Sequence, residues 1–163
     1  MNIWKKLQVI LLVTLSCIGV DQGTKLLASE HLSRNMMNSY FSDVFRIGYT
    51  ENIGAFLGLG NGLSDEHRFG IFVLAVGVFL LGLFFYLVTS SKLNLNSLVA
   101  LSMIFSGGAS NFYDRVVNNG AVVDFLNVGF GSIRTGVFNI ADMVIMAGVL
   151  MFILSQNKAE SAK

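Results

Sequence analysis

The chain has 163 residues, enough for one domain, of which 53% are apolar and only 13% charged. Its mean hydropathy is +0.65, whereas soluble domains carry about 25% charged residues, so composition favours an integral membrane protein over a soluble one. A net charge of +1 gives nucleic acid no electrostatic foothold, and one cysteine with two distant histidines leaves no disulfide, redox pair or zinc spacing.

Four apolar segments follow one another, and together they predict a single all-α membrane domain. The first, about residues 7–28, has Lys5 and Lys6 in front and Cys17 inside. Two lysines before an apolar run also suit a signal peptide. Thr14 stands where a lipobox would carry leucine, and no later part of the chain looks soluble, so an uncleaved helix is expected. The second segment, about 69–91, is uncharged and long enough for the roughly 20 residues that cross a bilayer. The third covers about 93–113 and the fourth about 137–155. Between them lie loops at about 29–67 and 114–136. In the first loop SYFSDVFRIGYT is aromatic and β-branched and predicts short strands. ENIGAFLGLGNG is glycine-rich and predicts tight turns.

An even number of spans leaves both termini on one side. Lys5, Lys6, Lys92, Lys158 and Lys163 lie on that side in short segments, and their density predicts cytoplasmic termini. Polar groups at membrane depth are then candidates for function, and they cluster toward the opposite face. Asp21 and Lys25 share a helix face at the outer end of the first segment. Asn111 and Asp114 do the same on the third, with Arg115 next, and Asn139 and Asp142 on the fourth. Asp124 is placed in the loop between the last two helices.

Taken singly, several of these have ordinary explanations. Asp21–Lys25 and Asp114–Arg115 suit ion pairs that set helix depth, and Asn139 suits a helix cap. Asp124 and Asp142 resist that reading, because neither has a cation within four residues. A carboxylate among apolar neighbours loses solvation, which penalises its charged form. Two that meet would share a proton, one activating water as a base and the other polarising a carbonyl as an acid. Spacing alone does not bring them together. Serine nucleophile motifs and HExxH are absent. A Ser–Lys dyad would need Lys25, with Ser106 or Ser110 as partner. Two other classes stay open: a binding or accessory membrane protein that cuts nothing, and a proton relay or small transporter, for which acids at mid-membrane are expected.

DQGTK at 21–25, ENIGAF at 51–56, GGASNFYDR at 107–115, VVDF at 122–125 and FNIAD at 138–142 occur in order. On these five motifs the chain resembles the bacterial lipoprotein signal peptidases, or signal peptidase II, from about residue 3 to 155. The resemblance implies a four-helix aspartyl endopeptidase of the inner membrane, with a small periplasmic β-cradle and a lid. It implies cleavage of diacylglyceryl-modified prolipoproteins just before the lipidated cysteine. Asp124 and Asp142 would be catalytic. Asp21, Lys25, Asn52, Gly54, Asn111, Asp114, Arg115 and Asn139 would support the dyad or contact substrate. No metal or other cofactor is implied. The implied partners are the prolipoprotein, membrane lipids and a globomycin-type inhibitor, acting on a monomer. The chain departs from the family pattern at Ser110, where glycine is usual, and in lacking a proline before Phe138.

Overall fold

The computed structural model describes residues 1–34, 36–54 and 62–160, with the side chains of 157–160 excepted. Helix α1 runs Ile3–His31. The Asn2 side chain starts it by accepting from the amides of Trp4 at 2.7 Å and Lys5 at 3.3 Å. A second helical stretch begins as α2, Asp65–Phe69, widens into a π turn at Gly70–Ala75 and continues as α3, Val76–Thr89. Helix α4, Leu95–Val117, is capped by Asn94, and α5 runs Ile140–Glu160.

Helix α4 is central and packs against α1, α3 and α5. Its buried face is made of small and polar residues: Ser97, Ser102, Ser106, Gly107, Ser110, Asn111 and Asp114 among them. Small residues let backbones approach. A side chain at Gly107 would begin 2.5 Å from the Ala141 carbonyl oxygen, and one at Gly148 would begin 2.7 Å from that of Ala100. Both positions therefore demand glycine for the α4–α5 contact. The buried hydroxyls of Ser102 and Ser106 return to carbonyls one turn back, which satisfies them inside the bundle. One apolar cluster, Ile10, Leu87, Leu93, Leu98 and Leu101, fills the opposite end.

The outer faces have the reverse character. Leu12 is 69% exposed, Leu81 62% and Leu150 60%, whereas Asp21 and Asn139 are 0% exposed. A protein with its ions inside and its leucines outside is built for an apolar surrounding. Among the described residues two helices, Ile3–His31 and Asp65–Thr89, are long and apolar enough to cross a bilayer, and Ile140–Gln156 is a shorter apolar helix. The third expected span, α4, is not among them, because its serines, glycines, asparagines and aspartate lower its hydropathy while facing the bundle interior.

A four-stranded antiparallel sheet, in spatial order β1-β2-β3-β4, sits over one end of the bundle. Its strands are β1, Asn38–Tyr40, β2, Phe45–Asn52, β3, Val122–Phe130, and β4, Ile133–Arg134. The first two match the strands expected in SYFSDVFRIGYT. The third is a correction: Asp124 lies in a nine-residue strand and not in a loop. Strand β3 pairs Asp124 with Thr50 and Val122 with Asn52, with an irregularity between Ile47 and Thr50. A side chain at Gly48 in that irregularity would begin 2.0 Å from the Met36 carbonyl oxygen. Of the glycine-rich stretch expected to turn, residues 55–61 lie outside the described residues.

Candidate active site

Strand β3 and the start of α5 bring the two aspartates to one place. Asp124 is 2% exposed. Its Oδ1 accepts from Nδ2 of Asn139 at 2.6 Å, and its Oδ2 accepts from Nδ2 of Asn52 at 2.8 Å. Asp142 accepts at Oδ1 from Nδ2 of Asn111, 2.9 Å, and at Oδ2 from the Asn139 amide, 3.2 Å. Asn139 in turn accepts at Oδ1 from the Asp142 amide, 3.0 Å. This reciprocal pattern is a capping box, formed here by Asn and Asp. The ordinary reading of Asn139 as a cap therefore holds, and the same side chain also reaches Asp124.

Below the aspartates lies a buried ionic knot. The Lys25 ammonium contacts Asp21 Oδ2 at 2.7 Å and Asp114 Oδ2 at 2.8 Å, and donates to Asn111 Oδ1 at 2.8 Å. Three hydrogens meet three acceptors, so the buried charge is fully satisfied. A Ser–Lys dyad is excluded on this geometry: Lys25 is committed, and the Ser110 hydroxyl donates to Asp21 Oδ2 at 2.7 Å. The expected Asp114–Arg115 pair does not form either. Asp114 turns inward to Lys25, while Arg115 donates to the carbonyl oxygens of Gly54 at 2.7 Å and Asn111 at 3.3 Å. Its guanidinium lies 5.4 Å from the centroid of the Phe72 ring. Gly54 is tied to the site from its other side, its amide donating to Asn52 Oδ1 at 3.0 Å.

Asp21, Lys25, Asn52, Gly54, Asn111, Asp114, Arg115, Asn139, Asp124 and Asp142 thus share one hydrogen-bonded network. Burial pushes the Asp124 carboxyl up to about 7; the Asn52 hydrogen bond opposes the shift, and the neighbouring Asp142 charge adds to it. A carboxyl near neutrality can hold or release a proton at working pH. Among the described residues no group of three or more His, Cys, Asp or Glu is arranged to hold a metal ion.

A sequence model of signal peptidase (SPase) II matches residues 13–157. The chain belongs to the signal peptidase II family. Lipoprotein signal peptidases resemble it over nearly their whole length. That of Streptococcus thermophilus is 35% identical over 149 residues, covering 90% of this chain and 91% of the relative. That of Borreliella burgdorferi is 33% identical over 145 residues, covering 86% and 84%. A bacterial membrane enzyme solved by the in meso method at 2.3 Å has the same fold, with a TM-score of 0.79 and 29% identity over 94% of this chain and 90% of that one.

Several members of the network in this signal peptidase II chain escaped the sequence reading. Gln22 donates to Asp114 Oδ1 at 2.8 Å and to the Ser110 hydroxyl at 2.9 Å. It stood inside DQGTK, beside Asp21, which was the available signal. Two backbone amides also take part: Ala141 donates to Asp21 Oδ1 at 2.8 Å, and Val123 donates to Asp114 Oδ2 at 3.3 Å. No sequence pattern marks a backbone amide.

Proposed function

We propose that the protein is an aspartyl endopeptidase that removes the signal peptide from diacylglyceryl-modified prolipoproteins, cutting before the lipidated cysteine. Family membership supports the reaction, and Asn139, shared between buried Asp124 and half-buried Asp142, carries the assignment of its chemistry.

Asp142 sits in the first turn of α5, where the Asn111 side chain and the Asn139 amide each donate to one of its oxygens and fix its carboxyl. It takes a proton from water as the water attacks the scissile carbonyl. Asp124, a carboxyl near neutrality, donates a hydrogen bond and then a proton to the carbonyl oxygen. The gem-diol collapses as Asp142 passes the proton it took from water to the leaving nitrogen and Asp124 takes one back from a gem-diol hydroxyl, which breaks the C–N bond, frees the cysteine amine and restores both carboxyls. Asn111, Asn139 and Asn52 hold the carboxylates in place. The Arg115–Gly54 contact shapes the edge where the peptide enters.

In this reading α1, the stretch Asp65–Thr89, α4 and α5 cross the inner membrane, with termini in the cytoplasm and the aspartates near the periplasmic face. The outward leucines and the lysine-rich ends support it. The lipid on the substrate partitions with the membrane lipids and brings the bond to the aspartates, so part of the rate comes from proximity. The enzyme works as a monomer, and a globomycin-type cyclic peptide inhibits by lodging between the carboxylates. The deciding experiment is cleavage of a diacylglyceryl-modified prolipoprotein by purified protein in detergent. Asp124→Asn and Asp142→Asn should each abolish cleavage while remaining folded; cleavage by either variant overturns the dyad.

A further inference from the structure

The backbone next to each aspartate is held by a buried acid. The amide of Val123, one residue before Asp124, donates to Asp114, and that of Ala141, one residue before Asp142, donates to Asp21. Asp21 is on α1 and Asp114 on α4. Lys25 links them once, through contacts of 2.7 and 2.8 Å. A second link runs on the other side of the two acids. The Ser110 hydroxyl donates to Asp21 Oδ2, 2.7 Å, and accepts from Nε2 of Gln22, 2.9 Å. Gln22 Nε2 also donates to Asp114 Oδ1, 2.8 Å. The result is a closed ring: Asp21, Ser110, Gln22, Asp114, Lys25 and back to Asp21.

Building on the aspartate dyad, we propose that Ser110 and Gln22 are positioning residues, whose ring fixes the register of β3 against α5 and so the relative placement of Asp124 and Asp142. Ser110 is suited to the task. It is 1% exposed, its hydroxyl has one donor and one acceptor partner within the ring, and its neighbour Asn111 donates to Asp142. Removing the hydroxyl opens the ring at Asp21, leaving Lys25 as the sole side-chain link between the acids. Replacing the Gln22 amide opens it at Asp114. Either change frees one anchor of one aspartate relative to the other without touching a carboxylate.

The test is steady-state cleavage of a diacylglyceryl-modified prolipoprotein by the full-length enzyme in detergent, with kcat and KM separated. Ser110→Ala, Gln22→Met and the double variant are compared, with thermal melts on each. A displacement of an ångström costs about a hundredfold in rate, so a loosened register should lower kcat roughly fivefold to tenfold and leave KM within about twofold. The double variant should be no slower than the slower single, since both open one ring. Losses that multiply, or an unchanged kcat in both singles, overturn the proposal; a merely structural role lowers the melting temperature without that split. If Ser110→Ala fails to fold, Gln22→Met decides alone by the same criterion. Asp124→Asn and Asp142→Asn run alongside: if they cut, the dyad falls, and if they are silent while the ring variants match wild type, only the ring's role falls.

Discussion

Helices α1 and α4 pack together along their length, and the two ends of that contact are made of different materials. At one end Ile10 packs with Leu98 and Leu101, together with Leu87 and Leu93, through apolar side chains. At the other end Lys25, Asp21, Ser110, Asn111 and Asp114 join the same helices through hydrogen bonds of 2.7 to 2.8 Å. Apolar contacts lack direction and accept small slides. Charge-assisted hydrogen bonds are directional, and losing one partner leaves a buried charge exposed to low dielectric. The apolar end holds the helices together, while the ionic end decides where they sit. That division suits the proposed dyad, which needs two carboxylates in one arrangement.

Five single variants and one pH series break or sharpen this contrast. The largest effect is expected at the aspartates, where Asp124→Asn or Asp142→Asn lowers the cleavage rate by about four orders of magnitude. The double variant is no worse than either single, and circular dichroism stays native. Next comes Lys25→Met, which strands Asp21 and Asp114. It should destabilise by roughly 3–5 kcal/mol and abolish activity in whatever protein remains folded, as measured by melting and by rate per folded molecule. Leu98→Ala, at the apolar end, should cost about 2–4 kcal/mol yet leave the rate per folded molecule unchanged. Equal catalytic losses at both ends would dissolve the contrast.

A pH series is smaller in effect and more specific. Burial pushes the folded Asp124 carboxyl up to about 7, from an ordinary value of 3.8. Between those values the folded state binds a proton that the unfolded chain has released, so this group's contribution to stability is greatest at low pH and declines as pH rises toward 7. Melting temperature followed across that window should lose this slope in Asp124→Asn. The smallest effect is expected at Asp43, in the β1–β2 turn, whose carboxyl is held well below the usual range by its hydrogen bonds to Arg46 and Ser39. It is solvated, so Asp43→Ala should move the melting temperature by no more than about 2 °C, and activity should not change.

What was legible in the sequence follows the range of each interaction. Asp21 and Lys25 are one helical turn apart, and their pairing could be read from spacing. The partner that completes the charge balance, Asp114, is 89 residues further along the chain from Lys25, and only the fold brings it near. Motifs named Asp124 and Asp142, but nothing local showed that they meet. Strand β3 was missed because most of its residues on both faces are buried, so VVDFLNVGF shows no alternation of apolar and polar positions. On helix α4 the sequence marked Asn111, Asp114 and Arg115, but did not show that Ser97, Ser102, Ser106 and Ser110 face the interior of the bundle.

The amide of Asn139 carries two hydrogens and lies within reach of three acceptors: Asp124 Oδ1 at 2.6 Å, Asn111 Oδ1 at 3.1 Å and the Val123 carbonyl at 3.3 Å. It is always one hydrogen short. When Asp124 is charged, the amide leans toward it; when Asp124 takes a proton and attracts less, the same hydrogens serve the two neutral oxygens. The surroundings of Asp124 therefore offer partners for this amide in both protonation states of the carboxyl.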